Sequence, residues 1–123
     1  GKTGPFILYS TIRMKSLLNK SKEESISYSK MNDLYNEFDR DVVLKLNNLN
    51  SVLEDAFNNK SLNGITDYLY NLTNSYNRFY TENIILKETD ELKRESYLAL
   101  TNIVYKVNLL LLDILAIKLP ERM

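Results

Sequence analysis

Chain breakers are nearly absent from the body of this sequence. Its 123 residues include three glycines and two prolines, and the prolines, Pro5 and Pro120, stand near the two ends. Folds built of many short strands need turn residues every few positions. A middle with Gly64 as its one glycine is therefore predicted to be helical. The length suits one domain able to bury a core without disulfides or metals. There is no cysteine and no histidine. That excludes a disulfide scaffold, a thiol nucleophile, and the commonest general base and zinc ligand.

Helical periodicity places the elements. A first helix is expected from about Pro5, where a proline in the opening turn removes an N–H that has no partner anyway. At 100° per residue Ile7, Met14 and Leu18 share one side, Leu8 and Ile12 a second, and Phe6 and Leu17 a third. A helix apolar on so many sides is expected to be packed on most of them. The one mainly polar line, Tyr9, Arg13, Ser16 and Lys20, is the face left for water or a ligand. Asn19 to Ser29 reads as a polar loop.

A second helix is predicted over Asp39–Leu46, capped by Asp39 or a neighbour. A third runs from Ser51 to about Asn59 behind an Asn50 cap, with Val52, Leu53, Ala56 and Phe57 inward. Gly64 is expected to break the chain. A longer helix starts at Thr66 or Asp67 with Leu69, Leu72, Tyr76, Phe79 and Asn83 in one row. Thr89 is expected to cap the last helix. Its inner row is Leu92, Leu100, Ile103 or Val104, Val107, Leu110 or Leu111, and Ile114, and Pro120 forbids continuation. The fold class is an all-α, single-domain antiparallel bundle of about five main helices with short connections.

Net charge is zero, but its distribution is uneven. Residues 1–30 hold six basic groups (Lys2, Arg13, Lys15, Lys20, Lys22, Lys30) against two acidic ones (Glu23, Glu24), leaving the rest acidic. Lys106, Asn108, Asp113 and Lys118 interrupt the most hydrophobic stretch, so no membrane span is expected. No glycine-rich phosphate cradle and no clustered carboxylates suited to a metal are visible, so neither catalytic nor metal-binding residues are assigned.

The two ends carry a more specific signal. The chain opens with Thr3-Gly4-Pro5-Phe6, then Tyr9 and Arg13, and closes with Pro120-Glu121-Arg122-Met123. This resembles the anticodon-binding domain of arginyl-tRNA synthetases, whose pattern is Thr-Gly-Pro-Tyr, a Tyr three residues on, an Arg four after that, and a final Pro-Glu-Arg-Met. Tyr68-Leu69-Tyr70-Asn71-Leu72-Thr73-Asn74-Ser75-Tyr76-Asn77-Arg78-Phe79-Tyr80 is similar to the family's Tyr-Leu-Tyr-x-Leu-Ala-x-x-Phe-Asn-x-Phe-Tyr helix. Phe6 stands where Tyr is usual, Leu8 where Gln is common, Ser10-Thr11 where Ala-His is common, Tyr97 where Arg is usual, and Ala116 where Gly is usual.

The resemblance implies that residues 1–123 are the carboxyl-terminal anticodon-binding domain of a longer class I synthetase. Its catalytic domain would be supplied in cis. The partner would be the anticodon loop of arginine tRNA. Phe6, Tyr9, Arg13, Tyr80, Arg122 and Met123 would form the site, with Lys15 and Lys20 on phosphates. The fragment itself would be no enzyme and need no cofactor, ATP serving the parent arginine–tRNA ligase. A cytoplasmic monomer is expected. Anticodon bases are single-stranded, so they can be splayed out, stacked on rings and read on their Watson–Crick edge. Arg13 can satisfy the O2 or N3 acceptors of cytosine, and a carboxylate at Met123 can accept from its exocyclic amine. The competing expectation is a helical protein-interaction module, or a stand-alone tRNA binder, that keeps the fold without synthetase function.

Overall fold

The computed structural model describes residues 3–118, and their regular structure is helical throughout. Five α-helices follow one another: α1 (Thr3–Glu23), α2 (Glu37–Leu46), α3 (Leu49–Asn59), α4 (Asn63–Glu82) and α5 (Glu91–Lys118), with a 3-10 turn at Ile85–Lys87 before the last. Helix α4 is central and packs against α1, α2, α3 and α5. Its row Leu69, Leu72, Tyr76 and Phe79 is fully buried. Phe79 meets Tyr76 at 5.6 Å and the edge of Tyr97 at 5.2 Å between ring centroids, so the core is aromatic at its centre.

Hydrogen bonds give the helix directions. Tyr68 Oη donates to the Lys45 carbonyl at 2.7 Å, and Asn36 Nδ2 donates to Asn83 Oδ1 at 3.0 Å, so α2 runs antiparallel to α4. Asn108 Nδ2 donates to Thr11 Oγ1 at 3.0 Å and to Thr73 Oγ1 at 3.1 Å in the buried interior. The hydroxyls of Tyr76 and Thr101 pair at 2.8 Å. Helix α5 thus runs antiparallel to both α1 and α4, which are parallel to each other.

Several local expectations shift. Helix α1 continues through Asn19–Glu23 because Leu18 and Ser21 are buried, so the loop begins only after it. That loop is fastened to α5: Ser27 Oγ donates to Glu95 Oε2 at 2.7 Å, and the Asn32 amide donates to Ser96 Oγ at 2.7 Å. The Ser27 hydroxyl and the Asn32 side chain hold the Glu95 carboxyl below the usual carboxylate range. Asn36, not Asp39, caps α2. Its side chain accepts from the Phe38 and Asp39 amides while Asp39 accepts from the Asn36 amide, closing a capping box.

Asn50 lies inside α3, which starts at Leu49. Gly64 does not break the chain but sits in the first turn of α4, where nothing crowds it. Asp90 rather than Thr89 caps α5, accepting from the Leu92 and Lys93 amides at 3.1 and 3.2 Å. Asn83 is the C-cap of α4, not a core residue.

The core row of α5 is Tyr97, Leu100, Thr101, Val104, Asn108 and Leu111. Leu92 overhangs the bundle and is exposed, as are Ile103 and Leu110. Phe57 is 87% exposed, because Val52, Leu53 and Ala56 already form the inner side of α3. Glu91–Ala116 is long and apolar enough to cross a membrane by length and composition. In this bundle 39% of its most apolar stretch is buried, and Ile103, Leu109 and Leu110 remain exposed.

Two outcomes are expected. Asn36→Ala loses the cap and the bonds to Asn83 and Tyr97 Oη, and should cost about 2 kcal/mol in urea denaturation. The second concerns alkali. Burial pushes the Tyr68 phenol from 10.0 up to about 12, and raises Tyr76 and Tyr97 as well. A folded pKa above the unfolded one favours the folded state while the phenol is protonated. That contribution is intact below pH 10 and is lost as pH rises through about 12. Circular dichroism followed with tyrosinate absorbance should show unfolding coupled to the late-titrating tyrosines.

Candidate nucleic-acid interface

The polar line of α1 stays in water: Tyr9, Arg13, Ser16 and Lys20 are all exposed, Tyr9 at 75%. Beside that line, α1 faces α4. Phe6 is half-buried against Tyr70, ring centroids 5.4 Å apart. One turn further, Ser10 is buried, and its Oγ accepts from Asn77 Nδ2 at 2.8 Å. Another turn on, Arg13 Nη2 donates to Asn77 Oδ1 at 2.8 Å, and its Cζ lies 4.3 Å from the centroid of the Tyr80 ring. Because α1 and α4 are parallel, Phe6, Ser10 and Arg13 meet Tyr70, Asn77 and Tyr80 in matching order.

A guanidinium stacked on a phenol is held by the ring quadrupole as well as by the amide. Neither of the two ion pairs among the described residues involves Arg13. Among the described residues no carboxylate pairs with it, and its side-chain bond is to Asn77 alone, which leaves further N–H donors for a ligand. The exposed Tyr9 ring lies one turn away. Such an edge suits a ligand with flat rings, hydrogen-bond acceptors and negative charge.

The other candidates divide. Lys20 follows the Tyr9–Arg13 line. Lys15, two residues after Arg13, points about 200° round the helix, on the flank away from α4. Leu8 and Ile12 occupy that same flank and are 52% and 60% exposed, so α1 is not packed on most sides. Arg122 and Met123 lie outside the described residues. Asn77 had no assigned role in the sequence reading, although it stands in the motif three residues before Tyr80. Ser10 stood out there as a departure from the family pattern, without a partner. A cleft of 1040 Å³ between α3, the start of α4 and Ile114 is apolar and lined by none of these residues. A smaller one of 330 Å³, lined by Phe38, Asn77, Arg78, Thr81 and Glu82, opens beside Asn77.

Fold and edge together define an all-α helical domain with an exposed rim of aromatic rings and the Arg13 guanidinium. A family model described as the DALR anticodon binding domain matches residues 7–123, and the chain belongs to that family. It is 37% identical over 124 residues to an arginine--tRNA ligase of Alkaliphilus oremlandii, covering all of this chain and 21% of that protein. Arginine--tRNA ligases of Agathobacter rectalis (32% over 127 residues, 21% of its length) and Francisella tularensis subsp. novicida (31% over 129 residues, 22%) also match the whole chain. The chain thus spans about a fifth of the length of these curated relatives. No solved structure matches it significantly.

Proposed function

We propose that this domain binds the anticodon loop of arginine tRNA and reads its middle cytosine. The parent chain, carrying a catalytic domain in cis, would use ATP to charge that tRNA with arginine as a cytoplasmic, monomeric ligase. The observation that carries the reading is the Arg13 guanidinium, stacked on Tyr80 and free of any ion pair among the described residues. Every arginine codon has guanine in the middle, so every arginine anticodon has cytosine there. Arginine donors satisfy the O2 and N3 acceptors of that base, and uracil presents a donor at N3 instead.

Tyr9 supplies a platform on which a base stacks, worth roughly 1–3 kcal/mol and tolerant of any base. Phe6 extends the aromatic rim, and the exposed Lys20 meets a phosphate. Arg122 and Met123 are proposed to join from the tail. In support, α5 runs antiparallel to α1, so its last described turn approaches the amino-terminal end of α1. The exposed Leu8 and Ile12 favour a second role for the opposite flank of α1, as a protein-contact face. That flank does not overlap the Tyr9–Arg13 edge.

Fluorescence anisotropy with labelled anticodon stem-loops tests the reading. Binding should prefer a middle cytosine and weaken with salt along a log–log slope of about −2, since few phosphate contacts are available. Arg13→Ala should cost on the order of 1–3 kcal/mol for the cognate loop and blunt discrimination against a middle uracil. Equal binding to arginine and non-cognate loops would refute it.

A further inference from the structure

We infer that Asn77 is the positioning residue for Arg13, and that Ser10 anchors the Asn77 amide. An arginine on a helix surface has a long side chain with many rotamers, and stacking on Tyr80 alone leaves its guanidinium free to turn in the ring plane. The bond from Arg13 Nη2 to Asn77 Oδ1, at 2.8 Å, removes that freedom and fixes which donors point outward. The amide of Asn77 has two unlike ends. Were its NH2 turned toward Arg13, donor would face donor. The guanidinium therefore takes the oxygen end, and Ser10 Oγ accepts from the Nδ2 end at 2.8 Å, which anchors the amide against rotation about its own side-chain bonds.

Ser10 is buried at 4% exposure and cannot itself meet a ligand. It acts through Asn77, and Asn77 through Arg13. Specificity for a base edge depends on which donors are offered and in what direction, so this relay bears on discrimination rather than on general affinity. That consequence for discrimination rests on the proposed reading of cytosine by Arg13; the positioning itself does not.

The experiment has two arms on wild type, Asn77→Leu and Ser10→Ala. In the free protein, nitrogen-15 NMR of arginine side chains should show a resolved Arg13 Nη signal in wild type, because the bond slows rotation of the guanidinium. The signal should collapse in Asn77→Leu and broaden in Ser10→Ala. An unchanged signal in Asn77→Leu would overturn the positioning role. In the second arm, the ratio of affinities for middle-cytosine and middle-uracil stem-loops should fall about tenfold in Asn77→Leu, as expected for a lost charged hydrogen bond. Ser10→Ala should lower it part of the way.

The Asn77→Leu Ser10→Ala double variant should lose no more than Asn77→Leu alone, because both act in one relay. A packing role alone would lower the melting temperature and leave the ratio unmoved, which would overturn the inference. Ser10→Ala leaves the Arg13–Asn77 pair in place and carries both readouts should Asn77→Leu not fold. If wild type shows no cytosine preference, the proposed reading fails, and the NMR arm alone decides the positioning.

Discussion

A single buried amide sets the frame on which the rest of this domain depends. Asn108, fully enclosed, gives its two N–H protons to Thr11 on α1 and Thr73 on α4. Thr11 in turn donates to the Ile7 carbonyl at 2.7 Å. Sliding any of the three helices by a residue would strand these groups in an apolar interior, at about 1–3 kcal/mol for each one left unpaired. Apolar side chains tolerate small shifts, whereas this trio does not. Its register has a direct consequence. Two residues past Thr11 is Arg13, and four past Thr73 is Asn77, so the interior bond fixes the meeting of that pair at the surface.

The edge between α1 and α4 gains its character from what surrounds it. Helix α4 is buried along one side by α2 and α5, which leaves Tyr70, Asn77 and Tyr80 at the margin where α1 arrives. Parallel helices keep matching residues side by side over three turns, so rings, amide and guanidinium line up instead of diverging. Among the described residues Arg13 finds an amide and a ring rather than a carboxylate, despite the acidic excess of residues 31–123.

Much of the bundle was legible because periodicity reports which side of a helix is apolar. The row Leu69, Leu72, Tyr76 and Phe79 and the exposed line Tyr9, Arg13, Ser16 and Lys20 follow from three-to-four spacing alone. Periodicity does not say whether a neighbour exists for every apolar side. Leu8, Ile12 and Phe57 were therefore misjudged as packed. Caps slipped by one or a few residues where two suitable side chains compete, as with Asn36 and Asp39 or Thr89 and Asp90. In the candidate site, Arg13 and Tyr80 could be named from the resemblance. The link between them could not, because Asn77 meets Arg13 and Ser10 across sequence separations of 64 and 67 residues. No local pattern encodes such a meeting; it follows from the parallel packing of α1 and α4.

The bond between Thr11 and Asn108 spans 97 residues, most of the chain. By contrast α2, α3 and α4 are neighbours in sequence and can associate early. Loop closure over so long a segment is slow, and its entropic cost must be met before the contact gives anything back. During synthesis α1 leaves the ribosome first and α5 last among these helices. The apolar side of α1, and with it the Arg13 edge, has to wait for a partner not yet made. The surface best suited to reading a ligand is thus among the last to take its final form.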